Sequence, residues 1–104
     1  MPLWRQGDVL IQTVDELPDR AERVKGVVLA AGEVTGHRHR IEDRRSAKLY
    51  RLPNHPESGL FLEVVHDTAD VIHPEHDTIT LPRGCYRVWQ QREASGVGWS
   101  TMAD

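Results

Sequence analysis

Two pairs of histidines are the strongest candidates in this chain for binding a metal ion. His37 and His39 lie one residue apart in "GEVTGHRHRIEDRR" (residues 32–45), and His73 and His76 lie in "HPEHD". Alternation along a strand puts His37 and His39 on one face, about 6–7 Å apart, where both can reach one ion. Imidazole binds Zn, Fe, Ni or Mn at neutral pH. We therefore expect a divalent metal site if the two segments are neighbours in space.

Two carboxylates lie close to these pairs in sequence. They are candidate metal ligands, or candidate hydrogen-bond partners of the ligands. Glu42 follows the first pair, and Glu75 lies between the two histidines of the second. Metal-bound histidines commonly donate their other ring N–H to a carboxylate, so Glu42 and Glu75 suit either role. The histidines have alternative interpretations as structural residues or as groups that sense pH near neutrality.

Arginines occupy the opposite face of the same predicted strand. Residues 38–51 contain six basic and two acidic side chains, whereas residues 63–77 contain five acidic ones. Such polarity fits a solvated face that guards a sheet edge, complementary contacts between subunits, or a phosphate or RNA site. The candidate anion-binding residues are Arg38, Arg40, Arg44 and Arg45.

Short apolar runs separated by turn signals must position these side chains. Turn signals recur about every 8 to 12 residues, and no window shows a sustained helical period. The pattern predicts one all-β domain over residues 1–93, a sandwich or barrel of about eight short strands, with a tail at 94–104 that is loosely ordered or packs on a neighbouring subunit. The expected strands are 7–14, 25–32, 35–42, 47–52, 60–66, 71–73, one around Ile79 and Leu81, and 84–93. Turns are expected at 66–70 and at "LPRG" (81–84).

Composition narrows the class of protein. The chain has 104 residues and a net charge of −3, which argues against nucleic acid or an anionic membrane as a partner of the whole surface. One cysteine excludes an intramolecular disulfide and fits a reducing compartment. Neither a signal peptide nor an apolar run of membrane-spanning length is present, so we expect a cytoplasmic protein. The thin core predicts a homo-oligomer or a protein partner.

Part of the sequence resembles the cupins. "GEVTGHRHRIE" is similar to the first cupin motif, and "LPRG" followed by a strand is similar to the Pro-x-Gly of the second. The resemblance implies a metal inside a β-barrel, with His37 and His39 as ligands and Glu42 as the carboxylate. Arg87 stands where the second motif has its histidine, so His73 or His76 would have to replace it.

A second resemblance covers nearly the whole chain. "QGDVLI", "GEVTGHRHRI" and "HPEHDTITLPRGCYRVWQQRE" are similar to a family of small uncharacterised bacterial and phage proteins. That family implies one compact domain and supplies no activity. No nucleotide-binding motif is present. Three hypotheses remain: a metal-binding cupin-like domain, a non-catalytic module that oligomerises or docks on a partner, and an anion- or RNA-binding module. Whether the domain is an enzyme stays open.

Overall fold

The computed structural model describes residues 2–31, 37–54 and 59–91. Within these residues it contains eight strands and no helix, in a single strongly curled sheet that forms a half-barrel. The predicted all-β class and the strand number are thereby confirmed. The strands are β1 (Leu3–Gln6), β2 (Val9–Val14), β3 (Glu22–Val24), β4 (Val28–Ala31), β5 (Arg38–Ile41), β6 (Ala47–Arg51), β7 (Leu60–His73) and β8 (His76–Gln90).

A long hairpin of β7 and β8 organises the sheet. The main strand order is β1-β2-β8-β7-β5-β4, and every pair is antiparallel. The free side of β7 is shared: its first half pairs with β6, and its last residues pair with β5 through Ile41↔Val71 and Arg40↔Ile72. β5 is therefore held against the turn of the β7–β8 hairpin.

The lengths of β7 and β8 differ from the expected short strands. They span 14 and 15 residues, because the predicted turns at 66–70 and 81–84 are both strand. Residues 65–67 form a bulge instead, because the register shifts between the pairs Val64↔Gly84 and Thr68↔Pro82. The backbone N–H of Val65 donates to the Ser46 carbonyl over 2.8 Å, so this amide of the bulge is satisfied without a β8 partner. Proline lacks the N–H that a regular ladder needs, and it is tolerated next to this bulge because the ladder is interrupted there.

Alternation of burial along the strands separates a core face from a water face. In β5, His39 and Ile41 are buried, whereas Arg38 and Arg40 are exposed, as the sequence predicted. Residues from β2, β7 and β8 complete the core, including Ile11, Leu62 and Tyr86. The Tyr86 ring also meets the Trp4 ring edge-on, with centroids 5.6 Å apart.

The boundary of the domain can be followed only as far as Gln91. The predicted tail at 94–104 lies outside the described residues. In the part of the chain that the structure describes, no helix is long and apolar enough to cross a membrane. The expected cytoplasmic location and the oligomeric state stay predictions.

Candidate functional site

The two histidine pairs meet around the turn of the β7–β8 hairpin, where they form what we call the histidine cluster: His37, His39, His73 and His76. His39 continues the β5–β7 register and lies against His73, with ring centroids 4.2 Å apart. His73 and His76 are register partners across the turn, and their centroids are 4.5 Å apart. The centroid of His37 is 5.9 Å from that of His73. The structure thus brings all four sequence-predicted histidines together.

The Gln6 side chain fixes the tautomer of His39. Its amide nitrogen donates to two backbone carbonyls, those of Val71 (2.9 Å) and Asp77 (2.8 Å), so Oε1 must be the atom that faces His39. Gln6 Oε1 lies 2.8 Å from His39 Nδ1 and can only accept, so Nδ1 carries the proton. In the neutral ring Nε2 then presents a lone pair. His39 is only 2% exposed, so its Nε2 is shielded from solvent.

Glu75 favours the same tautomer in His37. The Nδ1 of His37 lies 3.3 Å from Glu75 Oε1, which orients the ring and favours the proton on Nδ1. Glu75 was predicted as a ligand or a support, and the structure puts its carboxylate on a histidine of the cluster. Glu42 is different: it is exposed and lines a separate groove with Asp43 and His66, and no ion pair or hydrogen bond joins its side chain to a described histidine.

The hydrogen bond made by His73 favours the opposite tautomer. Its Nδ1 accepts the backbone N–H of Glu75 over 3.0 Å, so in the neutral ring Nε2 carries the proton. The ring lies between His39 and His76, whose centroids are 5.9 Å apart and whose planes differ by 17°. Within residues 2–31, 37–54 and 59–91, no three His, Cys, Asp or Glu side chains are arranged to hold a metal ion as they stand.

Sequence reasoning missed the tight β1–β2 turn as part of this site. Gly7 adopts φ +60°. A Cβ on Gly7 would lie 2.8 Å from His76 Nε2 and 3.3 Å from His39 Cε1, so the backbone of the turn packs directly on the imidazoles. Asp8 Oδ1 lies 3.8 Å from His39 Nε2, while Oδ2 accepts from the Gln90 amide over 3.0 Å. The available signal was Gln6, a polar residue two positions after Trp4 on the same face of β1.

The arginines of β5 line the outer side of the sheet. Arg38 and Arg40 border a cavity of about 350 Å³ together with Ile72, His73 and Pro74. Arg44 and Arg45 border a neighbouring cavity of about 560 Å³, which Arg40 also lines. None of these four arginines makes an ion pair with another described residue.

Carboxylates gather in a third place, which we call the acidic groove: Glu42, Asp43, Asp67 and Asp70. The cavity there is about 630 Å³ and is also lined by Ser46, His66 and Arg83. Asp70 accepts from the Thr80 hydroxyl over 2.8 Å, and Asp67 lies 3.2 Å from Arg83. The groove lies at the bulge of β7, away from the hairpin turn that carries the histidine cluster.

Cys85 is not placed as a nucleophile. Burial, and then the nearby Glu63 carboxylate, raise the pKa of its thiol above the ordinary value of 9.0. The thiolate is the reactive form, so this environment suppresses reactivity. The same carboxylate accepts the Tyr50 hydroxyl over 3.1 Å. Cys85 is half-buried on β8, next to the buried Tyr86.

These features define a small curled all-β domain with a buried, hydrogen-bonded histidine among further imidazoles. The chain belongs to the family described as Domain of unknown function (DUF8820), which matches residues 5–91. No curated protein and no solved structure is significantly similar to it. The matched segment contains Gln6, the Gly7–Asp8 turn and the whole histidine cluster. The expected membership in an uncharacterised domain family is confirmed; the bacterial or phage origin and the cupin likeness stay predictions.

Proposed function

We propose that the histidine cluster binds one divalent transition-metal ion, with zinc as the first candidate. The observation that carries the proposal is the pairing of His39 Nδ1 with Gln6 Oε1 at 2.8 Å, inside a group of four imidazoles. In the neutral ring this pairing leaves Nε2 unprotonated, and Nε2 lies 3.8 Å from Asp8 Oδ1. Metal-binding histidines in proteins are typically held in this way by an acceptor on the other ring nitrogen.

Ring separations in the cluster are close to those of a tetrahedral site. A histidine nitrogen about 2.0–2.1 Å from an ion places the ring centre about 3.2 Å from it, so two bound rings have centres about 5 Å apart. The measured centroid separations are 4.2 Å, 4.5 Å and 5.9 Å for the three neighbouring pairs among His39, His73 and His76. Ligation also requires the ring nitrogens to turn toward a common point, since no three of the described side chains hold an ion as they stand.

His73 is the residue whose ring must change most. Its Nδ1 is engaged by the Glu75 N–H, and its protonated Nε2 cannot bind a metal. Since His73 is only partly buried and lies next to a turn, giving up this hydrogen bond is feasible. Asp8, 3.8 Å from His39 Nε2, is the alternative fourth ligand if His73 keeps its bond. We therefore favour His39 and His76 as ligands, joined by His37, whose ring centroid is 5.9 Å from that of His73, and by His73 or Asp8.

The test is metal content and affinity. Purified protein, and protein reconstituted with Zn²⁺, Fe²⁺, Ni²⁺ or Mn²⁺, should hold about one ion per chain, measured by elemental analysis and competition titration. His37→Ala/His39→Ala should abolish this binding, whereas His66→Ala, which removes an exposed histidine outside the cluster, should leave it unchanged. Because His39 is buried, its replacement also disturbs the fold. His37 and His76 are only half-buried, so we expect the second variant, His76→Ala/His37→Ala, to stay folded.

A wild-type protein that binds no stoichiometric metal after reconstitution would refute the proposal. Equal binding by wild type and a folded His76→Ala/His37→Ala variant would also refute it. Far-UV circular dichroism and the unfolding midpoint establish that each variant is folded before its metal content is compared.

A non-catalytic assembly module, with histidines that only support the structure, is the second candidate. The two strands at the ends of the sheet order each expose an apolar side chain: Leu3 of β1 is 54% exposed and Val28 of β4 is 37% exposed. Exposed apolar edge strands favour pairing with another chain. Sedimentation should then show an oligomer that Leu3→Lys/Val28→Lys dissociates, and a monomeric wild type would exclude this alternative.

A further inference from the structure

The outer face of β5 carries a concave site next to the histidine cluster. Arg38 and Arg40 project from the exposed side of the strand, and Ile72 lies directly across from Arg40 in the β5–β7 register. With Pro74 and His73 they enclose a cavity of about 350 Å³. That volume is within the range of pockets that accept small molecules, about 300–1,000 Å³.

Neither guanidinium of this pocket is neutralised by the described chain. Arg38 and Arg40 make no ion pair there, although Glu42 and Asp43 follow closely in sequence. Glu42 and Asp43 line the neighbouring cavity, which Arg40 also borders, but no ion pair joins them to Arg40, and Asp43 Oδ1 accepts the backbone N–H of Arg45 over 2.9 Å. The Cα atoms of two residues at i and i+2 on one strand face lie about 6–7 Å apart, so the long side chains of Arg38 and Arg40 can both reach one anionic group between them.

We infer that this pocket binds a small anion that carries a carboxylate or phosphate group. Guanidinium groups present paired N–H donors that match the oxygens of both groups. Ile72 and Pro74 supply an apolar wall for the remainder of such a molecule. The small cavity and its apolar wall favour a small molecule over a nucleic-acid strand, which would need a longer basic track with aromatic side chains.

The position of His73 connects this anion to the histidine cluster. His73 lines the pocket and its ring centroid is 4.2 Å from that of His39, so the pocket and the cluster share a wall. An anion held by the arginines would lie beside the ion that we propose for the cluster. Binding of the anion requires only the arginines, whereas its proximity to a metal ion rests on the proposed function.

The experiment is calorimetric titration of metal-free protein with inorganic phosphate and with succinate. Arg38→Gln/Arg40→Gln should weaken binding of at least one probe by about tenfold or more, the loss expected for one charge-assisted hydrogen bond. The matched control is Arg44→Gln/Arg45→Gln, which removes the same net charge from the adjacent cavity. That control should weaken binding by less than about threefold, since only long-range attraction is lost.

Several outcomes would overturn the inference. Saturable binding of neither probe would do so, as would an equal loss in both double variants. Tight binding of a single-stranded RNA, steeply dependent on salt and reduced equally by both double variants, would show a polyanion surface instead. The metal-free His37→Ala/His39→Ala variant should still bind the anion, so failure of the metal proposal and failure of the anion proposal give different results.

Discussion

The histidine cluster and the acidic groove each gather four side chains of one chemical type, yet they are built differently. In the cluster, His39 is 2% exposed and is fixed by Gln6, itself only 2% exposed. In the groove, the Asp67 side chain is fully exposed, and its contact is an Arg83 side chain that is itself 63% exposed. The groove encloses about 630 Å³, more than the pocket of about 350 Å³ beside the cluster.

This difference indicates that burial and fixed hydrogen bonds identify a candidate site better than cavity volume or residue type does. Exposed carboxylates that bond with their own neighbours are common on sheet surfaces and guard strand edges. A buried imidazole held by a buried amide has a cost in desolvation that only a specific arrangement offsets. The acidic groove therefore has the properties of a solvated surface, whereas the histidine cluster has those expected of a binding site.

The largest expected effect comes from Gly7→Ala. The new methyl would lie 2.8 Å from His76 Nε2 at a residue with φ +60°, so the turn is strained and the histidine is displaced. We expect the free energy of unfolding to fall by about 2 kcal/mol or more and metal affinity to fall with it. Chemical denaturation and competition titration with zinc measure the two effects.

Gly59→Ala is the matched control for that change. Gly59 also has positive φ, and a methyl there would run into the Val88 carbonyl; none of the nearest atoms it would meet belongs to the histidine cluster. It should destabilise the fold while the folded fraction binds zinc like wild type. Equal loss of zinc affinity in both variants would show that the turn has no particular relation to the histidines.

The next largest effect is expected from Gln6→Met. The change removes the amide that donates to the Val71 and Asp77 carbonyls, leaving buried acceptors unpaired at a cost of about 1–3 kcal/mol. It also releases the tautomer of His39, and loss of such a support typically weakens metal binding about 10–100-fold. Gln12→Met on β2 is the control, and unaltered zinc affinity in Gln6→Met would contradict the role of the amide.

Alkaline titration should reveal a third set of groups that belongs to neither region. Burial raises the pKa of Tyr86 above 10.0 and that of Cys85 above 9.0, so the folded chain keeps these protons longer than the unfolded chain. Stability should be fully present below about pH 9 and decline as pH rises further. Cys85→Ala should delay the onset of the decline in denaturation measurements, and an onset unchanged by this substitution would argue against the assignment.

The smallest effect is expected in the acidic groove. Asp67→Asn removes a charge from a fully exposed side chain whose contact with Arg83 is screened by water. Its unfolding midpoint and zinc affinity should match those of wild type within error. A clear loss of zinc affinity would move the metal proposal toward the groove and reverse the comparison.

Much of this architecture could be predicted from local patterns. Alternation in β5 correctly separated His39 and Ile41 from Arg38 and Arg40, because the period of a strand depends only on the backbone. The bulge next to the Thr68↔Pro82 pair could not be predicted, because its position depends on which residue of β7 pairs with the proline. The histidine-to-turn contacts are equally non-local: 33 residues separate His39 from Gln6, and only the strand order brings them together.

The most direct test of the metal proposal is long-range ¹H–¹⁵N NMR of the histidine rings during addition of zinc to metal-free protein. We expect His39 to carry its proton on Nδ1 before zinc is added, and its Nε2 resonance to move to the metal-bound range at one equivalent. Rings of His37 and His76 should respond at the same point of the titration. A His39 protonated on Nε2, or histidine resonances unchanged by zinc, would contradict the account.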